Sequence, residues 1–174
     1  MDIRDLIIRA YERTPAALNN AVKDLRPEDI KWRPGPLANP IGFILWHVTR
    51  GEDRFVNSRI RQAPQVWDDE QWRKRLNFGG NPADTGNSYT GEQVAAFFIP
   101  TLEDLLAYSQ AVRARTMEYL KAMTPADLDK TVDLAGRTFT AGDLLVLYLG
   151  EFNHHLGQID YIRGLAVSRR GPGG

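Results

Sequence analysis

Residues 140–163, TAGDLLVLYLGEFNHHLGQIDYIR, carry the pattern of one long helix. Thr140 is suited to cap its first turn, and Gly164 is a typical stop. The core-facing stripe is predicted to consist of residues spaced three or four apart, namely Leu144, Tyr148, Glu151, His155, Ile159 and Ile162. Two polar residues of this helix, Glu151 and His155, therefore fall among apolar ones.

These two side chains are predicted to project from the same helix face, about one turn and 40° apart. A carboxylate in apolar surroundings is unfavourable unless it is paired, protonated or bound to a cation. His47 occupies a similar place within residues 44–48, ILWHV. Two imidazoles and a carboxylate form the ligand set of open zinc, iron or nickel sites. The spacing alone also allows a hydrogen-bonded core histidine and a metal-free Glu–His pair.

Three further helical stripes cover residues 3–25, 41–60 and 101–123. Pro27 ends the first, Pro100 interrupts the approach to the third, and Thr90 opens a capping box before it. Residues 132–139 predict a turn or small hairpin. The chain is therefore predicted to be all-α, with a four-helix bundle over residues 1–166 and a disordered tail over residues 167–174.

Residues 63–90 lack periodicity and are rich in Gly, Pro, Asn and Asp, yet they include Trp67 and Trp72. Loops of this length are uncommon in compact domains unless they are functional or disordered. The aromatic content indicates that this segment packs onto the bundle, where it could act as a lid.

Composition excludes several classes of protein. Lys+Arg and Asp+Glu each total 22, so the zero net charge argues against a nucleic-acid partner. The chain has no cysteine, which excludes disulfides and a thiolate nucleophile of its own, so any thiol must come from outside. The absence of a long apolar run predicts no membrane span, and the charged residues 1–10 do not resemble a signal peptide. A cytoplasmic location is predicted.

Two stretches carry a resemblance to a known family. Residues 32–36, WRPGP, and 39–47, NPIGFILWH, resemble the second-helix approach of the DinB-like (DinB/YfiT) superfamily. Residues 151–159, EFNHHLGQI, with 161–164, YIRG, resemble its final-helix signature. The resemblance implies an antiparallel four-helix bundle with a long crossover connection, and a homodimer.

The resemblance also implies a divalent metal, most commonly zinc or nickel, with iron or manganese as alternatives. Its ligands fall on His47, Glu151 and His155. Glu151 stands where the family usually has histidine, and glutamate can bind the same metals.

The resemblance to family members with known activity implies that this chain is a transferase or isomerase. Such an enzyme would use a low-molecular-weight thiol, such as bacillithiol, mycothiol or glutathione, on a small-molecule substrate. A metal lowers the pKa of a bound thiol. A chain without cysteine would have to take that thiol from a co-substrate. Trp67 and Trp72 would then cover an apolar substrate. Further candidates for substrate or supporting contacts are Arg50, Asn153, Gln158 and Arg163; as alternatives, both arginines would be surface charges and Asn153 merely exposed.

Two other functions stay open at the level of sequence. One is metal-dependent hydrolysis, in which Glu151 would be a ligand or a general base. The other is a non-catalytic, stress-related dimeric bundle with a purely structural site. If the protein is a thiol enzyme, we expect a cavity over the metal that is large enough for a tripeptide-sized cofactor. If the site is structural, we expect the metal to be enclosed.

Overall fold

Helices make up most of the chain in a computed structural model that describes residues 2–69, 71–134 and 136–171. In chain order the helices are α1 (Ile3–Ala21), α2 (Pro27–Lys31), α3 (Ile41–Glu52), α4 (Val66–Asp69), α5 (Trp72–Arg75), α6 (Gly91–Ala96), α7 (Leu102–Ala122) and α8 (Ala141–Ser168). A π-helix, Asp53–Ile60, continues α3, and a 3-10 turn spans Pro125–Asp129. Strands β1 (Thr131–Leu134) and β2 (Arg137–Thr140) form an antiparallel hairpin. The predicted all-α class and the small hairpin are confirmed.

The four long helices are arranged so that α1 and α3 each pack against both α7 and α8. Helix α3 runs parallel to α7, because Arg50 contacts Tyr108 and, further along both helices, Glu52 pairs with Arg113. Parallel neighbours cannot be joined by a short turn, so residues 61–101 must return along the length of the bundle. This segment is the predicted crossover connection. The neighbours α1 and α7, and α3 and α8, are antiparallel.

Helix boundaries follow local chemistry. The Thr140 hydroxyl accepts a hydrogen bond from the Asp143 N–H at 3.0 Å, and the Asp143 carboxylate accepts one from the Thr140 N–H at 3.0 Å. Thr90 opens α6 with the same reciprocal arrangement, as predicted. Helix α1 ends at Ala21, short of the predicted residue 25, because Asp24 adopts a φ of 60°, which a right-handed helix cannot include.

The crossover is anchored by Asp53, which is completely buried. Its carboxylate accepts hydrogen bonds from the backbone N–H groups of Val66 at 3.0 Å and Trp67 at 2.9 Å, which start α4. It also accepts the Tyr108 hydroxyl at 2.9 Å and pairs with Arg50 at 3.5 Å. A buried charge with this many partners fixes the path of the chain where it leaves α3.

Trp67 and Trp72 belong to the aromatic core. Trp67 contacts the rings of Trp46, Phe78 and Tyr108 at centroid distances of 5.3–6.5 Å, and both tryptophans are buried. The predicted packing of this segment onto the bundle is therefore confirmed. None of the described helices is both long and apolar enough to cross a membrane.

The disordered tail was predicted to start at residue 167, which is too early. Helix α8 continues to Ser168, the Arg169 guanidinium lies 4.8 Å from the centre of the Trp32 ring, and Arg170 pairs with Asp29. These contacts with α2 and the residue after it hold the helix end against the bundle. Residues 172–174 lie outside the described residues.

Replacing Asp53 with alanine is expected to lower the free energy of unfolding by about 3–5 kcal/mol, because Arg50 would stay buried without its counter-ion. Urea unfolding followed by circular dichroism measures the change. Asp160→Ala, which removes an exposed carboxylate, is the control and should stay within about 0.5 kcal/mol of the parent. A loss for Asp53→Ala no larger than that of the control would contradict the anchoring role.

Candidate metal and substrate site

The structure brings His47 of α3 and His155 of α8 together. Their ring centroids lie 4.9 Å apart with an interplanar angle of 83°. Two imidazoles bound to one zinc ion, with zinc–nitrogen bonds of about 2.1 Å at a tetrahedral angle, have centroids about 5 Å apart. The Glu151 carboxylate lies 3.9 Å from His155 Nε2. All three predicted ligands are therefore neighbours.

Both histidines have one ring nitrogen engaged and the other available. His47 Nδ1 lies 2.5 Å from the Thr85 carbonyl oxygen, and His155 Nδ1 lies 2.9 Å from Gln158 Oε1. Since both partners are acceptors, Nδ1 is the donor in each contact, and in a neutral ring the lone pair is then on Nε2. Metal-binding histidines are commonly oriented in this way. Burial lowers the pKa of His47, which favours the neutral form that binds metals.

Glu151 was predicted to lie within the apolar stripe, and this is wrong. Its side chain is 58% exposed, and Phe152 occupies the core position instead. Residues 151 and 152 both satisfy a three-or-four spacing from Tyr148, and burying the phenyl ring avoids the desolvation of a carboxylate. The candidate site therefore lies at the edge of the bundle.

The donor set fits a divalent metal in kind, but it is not closed. Among the described residues, no group of three or more His, Asp or Glu side chains could hold an ion as it stands. The Glu151 carboxylate would need to turn toward the two imidazoles, and its exposure leaves it free to do so.

Two cavities meet at the histidine pair. The larger, about 370 Å³, is lined by both histidines, Glu151 and an apolar wall consisting of Val48, Phe55, Leu134, Leu144 and Leu147. The smaller, about 200 Å³, shares His47, Asn87 and His155 with it and is more polar, with Asn39, Ser88 and Tyr89 in its lining. A molecule in either cavity can therefore contact both imidazoles.

Arg50 was predicted as a substrate or supporting contact, with a surface charge as the alternative, and its complete burial contradicts the surface charge and agrees only with a supporting contact. Its side chain is fully buried and donates hydrogen bonds to the carbonyl oxygens of Pro82 at 3.1 Å and Asp84 at 3.3 Å. These bonds hold the end of the crossover against α3. Thr85 and Asn87, which follow directly, line the larger cavity. Neither residue was predicted from the sequence as part of the site.

The remaining candidates divide into one supporting residue and several that lie elsewhere. Gln158 orients His155, as described above, and also contacts His154. Trp67 and Trp72 line neither cavity because both are packed in the core, so their predicted contact with a substrate is corrected. Asn153 is exposed and Arg163 is half-buried, and neither lines a cavity.

The sequence profile of the DinB superfamily matches residues 10–159, a span that contains His47, Glu151 and His155. The chain belongs to the DinB superfamily. The crystal structure of a conserved protein from Enterococcus faecalis is similar, with a TM-score of 0.84 and 20% sequence identity over 97% of this chain and 99% of that one. This likeness shows the fold alone. No curated protein matches.

The approach of residues 85–87 to α3 depends on Gly86, which has a φ of 80°. A Cβ atom there would lie 2.8 Å from both Phe43 Cζ and Trp46 Cζ3. Gly86→Ala is therefore expected to lower the free energy of unfolding by about 1–3 kcal/mol. It should also shift the NMR signals of the His47 ring, because the Thr85 carbonyl would move.

Gly79→Ala in the same segment is the control, since its Cβ would meet no atom within 4 Å. This variant should stay within about 0.5 kcal/mol of the parent. Equal stability of the two variants, with unchanged His47 signals, would show that the close approach at Gly86 does not position Thr85.

Proposed function

We propose that this chain binds one divalent metal ion, zinc or nickel in first place and iron or manganese as alternatives, through His47, His155 and Glu151. It then acts as a transferase or isomerase that uses a low-molecular-weight thiol. The observation that carries the proposal is the pair of cavities that share both imidazoles. A reaction between two molecules requires both to reach one centre, and this arrangement supplies the space for it.

The residues of the chain have separate tasks. His47 and His155 present Nε2, while the Thr85 carbonyl and Gln158 fix the direction of each ring. Glu151 completes the ligand set from the exposed side. Bound there, a divalent metal lowers the pKa of a coordinated thiol and makes thiolate available near neutral pH. The chain has no cysteine, so that thiol belongs to a co-substrate.

The two cavities differ in a way that suits two unlike molecules. The larger has aliphatic and aromatic walls, which exclude water from an apolar acceptor. The smaller has amide and hydroxyl side chains, which suit the polar body of a peptide-like thiol. In a transfer, a carbon–sulfur bond forms as the leaving group departs with its electron pair, and the thiol proton passes to solvent.

Hydrolysis is less well supported. Among the described residues that line the two cavities, Glu151 is the single carboxylate, and it is assigned to the metal. A separate general base for water is therefore lacking there. A purely structural metal is also less well supported, because cavities adjoin the histidines. The homodimer and the cytoplasmic location stay predictions.

Purified, tag-free protein is expected to carry about one zinc, nickel or similar ion per chain by elemental mass spectrometry. Replacing His47 or His155 with alanine should lower the metal occupancy at least about tenfold, because each variant retains only one of the two imidazole ligands. His154→Ala, which removes an exposed neighbouring imidazole, should keep the metal. Occupancy below about a tenth in the parent, even after metal is added back, would refute the metal site.

Thiol transfer is expected when the metal-loaded protein is mixed with glutathione, bacillithiol or mycothiol and monochlorobimane, whose thiol conjugate is fluorescent. The rate above the uncatalysed reaction should fall at least about 100-fold in His47→Ala and His155→Ala, because both hold the ion that makes the thiolate. Gln158→Leu should weaken metal binding by about 10–100-fold while leaving both ligands in place. A rate that is the same in the two histidine variants and the parent would exclude this site as the catalyst.

A further inference from the structure

We propose that Arg54 binds an anionic group of the molecule in the larger cavity and so selects small amphipathic carboxylates as its ligands. This inference rests on the proposed function of the same site and names the chemistry that the site would accept. It concerns a residue on the π-helix that follows α3, at the opposite end of the cavity from the histidine pair.

Arg54 is the one lysine or arginine that lines either cavity among the described residues. Its side chain is half-buried, and within the described ranges it has neither a hydrogen bond nor an ion pair. The arginines nearby are different, because Arg50 pairs with Asp53 at 3.5 Å and Arg113 pairs with Glu52 at 2.7 Å. A guanidinium with five donors that forms no hydrogen bond or ion pair with the described residues is a suitable site for a carboxylate.

The position of Arg54 in the helix directs it toward the cavity. It lies seven residues after His47, five of them within the α-helical part that ends at Glu52, so it is nearly two turns further along and on a neighbouring face. The two side chains start about 10 Å apart along the axis, roughly the length of an eight-carbon chain. The intervening residues of α3, Val48 and Gly51, line the cavity, and Gly51 leaves it open because it has no side chain.

The lining between these two ends is apolar. Phe55 lies on the side of α3, and Leu144 and Leu147 lie opposite on α8. The one acidic residue of the lining, Glu151, is at the histidine end, 3.9 Å from His155, and makes no ion pair with Arg54. The cavity therefore offers a cation at one end, an apolar middle and the imidazoles at the other end. An apolar molecule with one carboxylate complements this order.

The carboxylate could belong to the acceptor substrate or to the thiol, since glutathione and similar thiols also carry carboxylates. The chemistry that Arg54 recognises is the same in both cases. The experiment therefore has one arm for the interaction and a second arm for its source.

The first arm measures binding of octanoate and octanamide, which differ only in the charged group, to the chelator-treated full chain by NMR titration. Octanoate is expected to bind at least about tenfold more tightly than octanamide to the parent. Arg54→Gln should bring the two affinities together, and Arg54→Lys should keep part of the preference. Arg59→Gln is the control, because Arg59 is exposed on the same π-helix and lines no cavity. Its preference should equal that of the parent.

An equal affinity of the parent for the two probes, or a preference that persists in Arg54→Gln, would overturn the proposal. Unfolding curves of Arg54→Gln that match the parent show that the variant is folded. Because this arm uses metal-free protein, it gives a result even if the proposed metal site fails. Conversely, a protein that binds metal but does not distinguish octanoate from octanamide refutes only the role of Arg54.

The second arm adds glutathione to the metal-loaded protein saturated with octanoate. Displacement of octanoate in the parent indicates that the thiol supplies the carboxylate, whereas simultaneous binding indicates that the acceptor does. Both results agree with the proposal, provided that octanoate remains sensitive to Arg54→Gln. Binding of octanoate that requires the metal and ignores Arg54→Gln would place the carboxylate on the ion and overturn the proposal.

Discussion

A single buried carboxylate, that of Asp53, holds together the parts from which the candidate site is built. It accepts the backbone N–H groups that start α4, so it fixes where the crossover leaves the bundle. It also neutralises Arg50, whose remaining donors reach carbonyl oxygens at the far end of that crossover. The crossover in turn supplies the Thr85 carbonyl, which lies 2.5 Å from His47 Nδ1 and orients the ring. Without the ion pair, burying Arg50 would be strongly unfavourable, and the loop would lose its attachment.

The preceding residue, Glu52, links α3 to both α7 and α8. Its carboxylate accepts hydrogen bonds from Arg113 at 2.7 Å and from the Tyr148 hydroxyl at 3.1 Å. Burial holds the pKa of Tyr148 well above its usual value, so this hydroxyl stays a donor. Tyr148 lines the larger cavity, and its second contact is the Val48 carbonyl oxygen at 3.0 Å. Two consecutive acidic residues, Glu52 and Asp53, therefore connect the end of α3 to α7 and α8 beside the cavity.

Much of this arrangement could be predicted from the sequence, because it depends on local chemistry. Apolar periodicity located the four long helices, and the Thr140 cap located the start of α8. His47 and His155 were found because an imidazole among apolar residues is conspicuous. Glu151 was found with the wrong environment, since a three-or-four spacing does not distinguish position 151 from position 152. The final helix also extends further than its glycine stop suggested.

The parts that could not be predicted depend on contacts between distant segments. Two acceptors of Arg50 are backbone carbonyls more than thirty residues away, and a backbone carbonyl cannot be identified from residue type. The same is true of Thr85, whose role depends on its main chain alone. Trp67 and Trp72 were assigned to a substrate because aromatic residues in a loop suit both a lid and a core, and only the packing decides between them. Arg54 did have a signal, its seven-residue spacing from His47.

The attachment of the crossover through its carbonyl oxygens has a consequence for how such a protein can diversify. Arg50 and His47 contact backbone carbonyl oxygens within residues 82–85, and every amino acid has such a carbonyl. Apart from Asp84, whose carboxylate accepts the Tyr89 hydroxyl at 2.9 Å, the side chains of this stretch can therefore be exchanged while these backbone contacts remain. The surface facing the imidazoles is thus open to variation, whereas the frame beneath it is not. Because the backbone holds the loop and the side chains face the cavity, the substrate can be changed by point substitution without a change of fold.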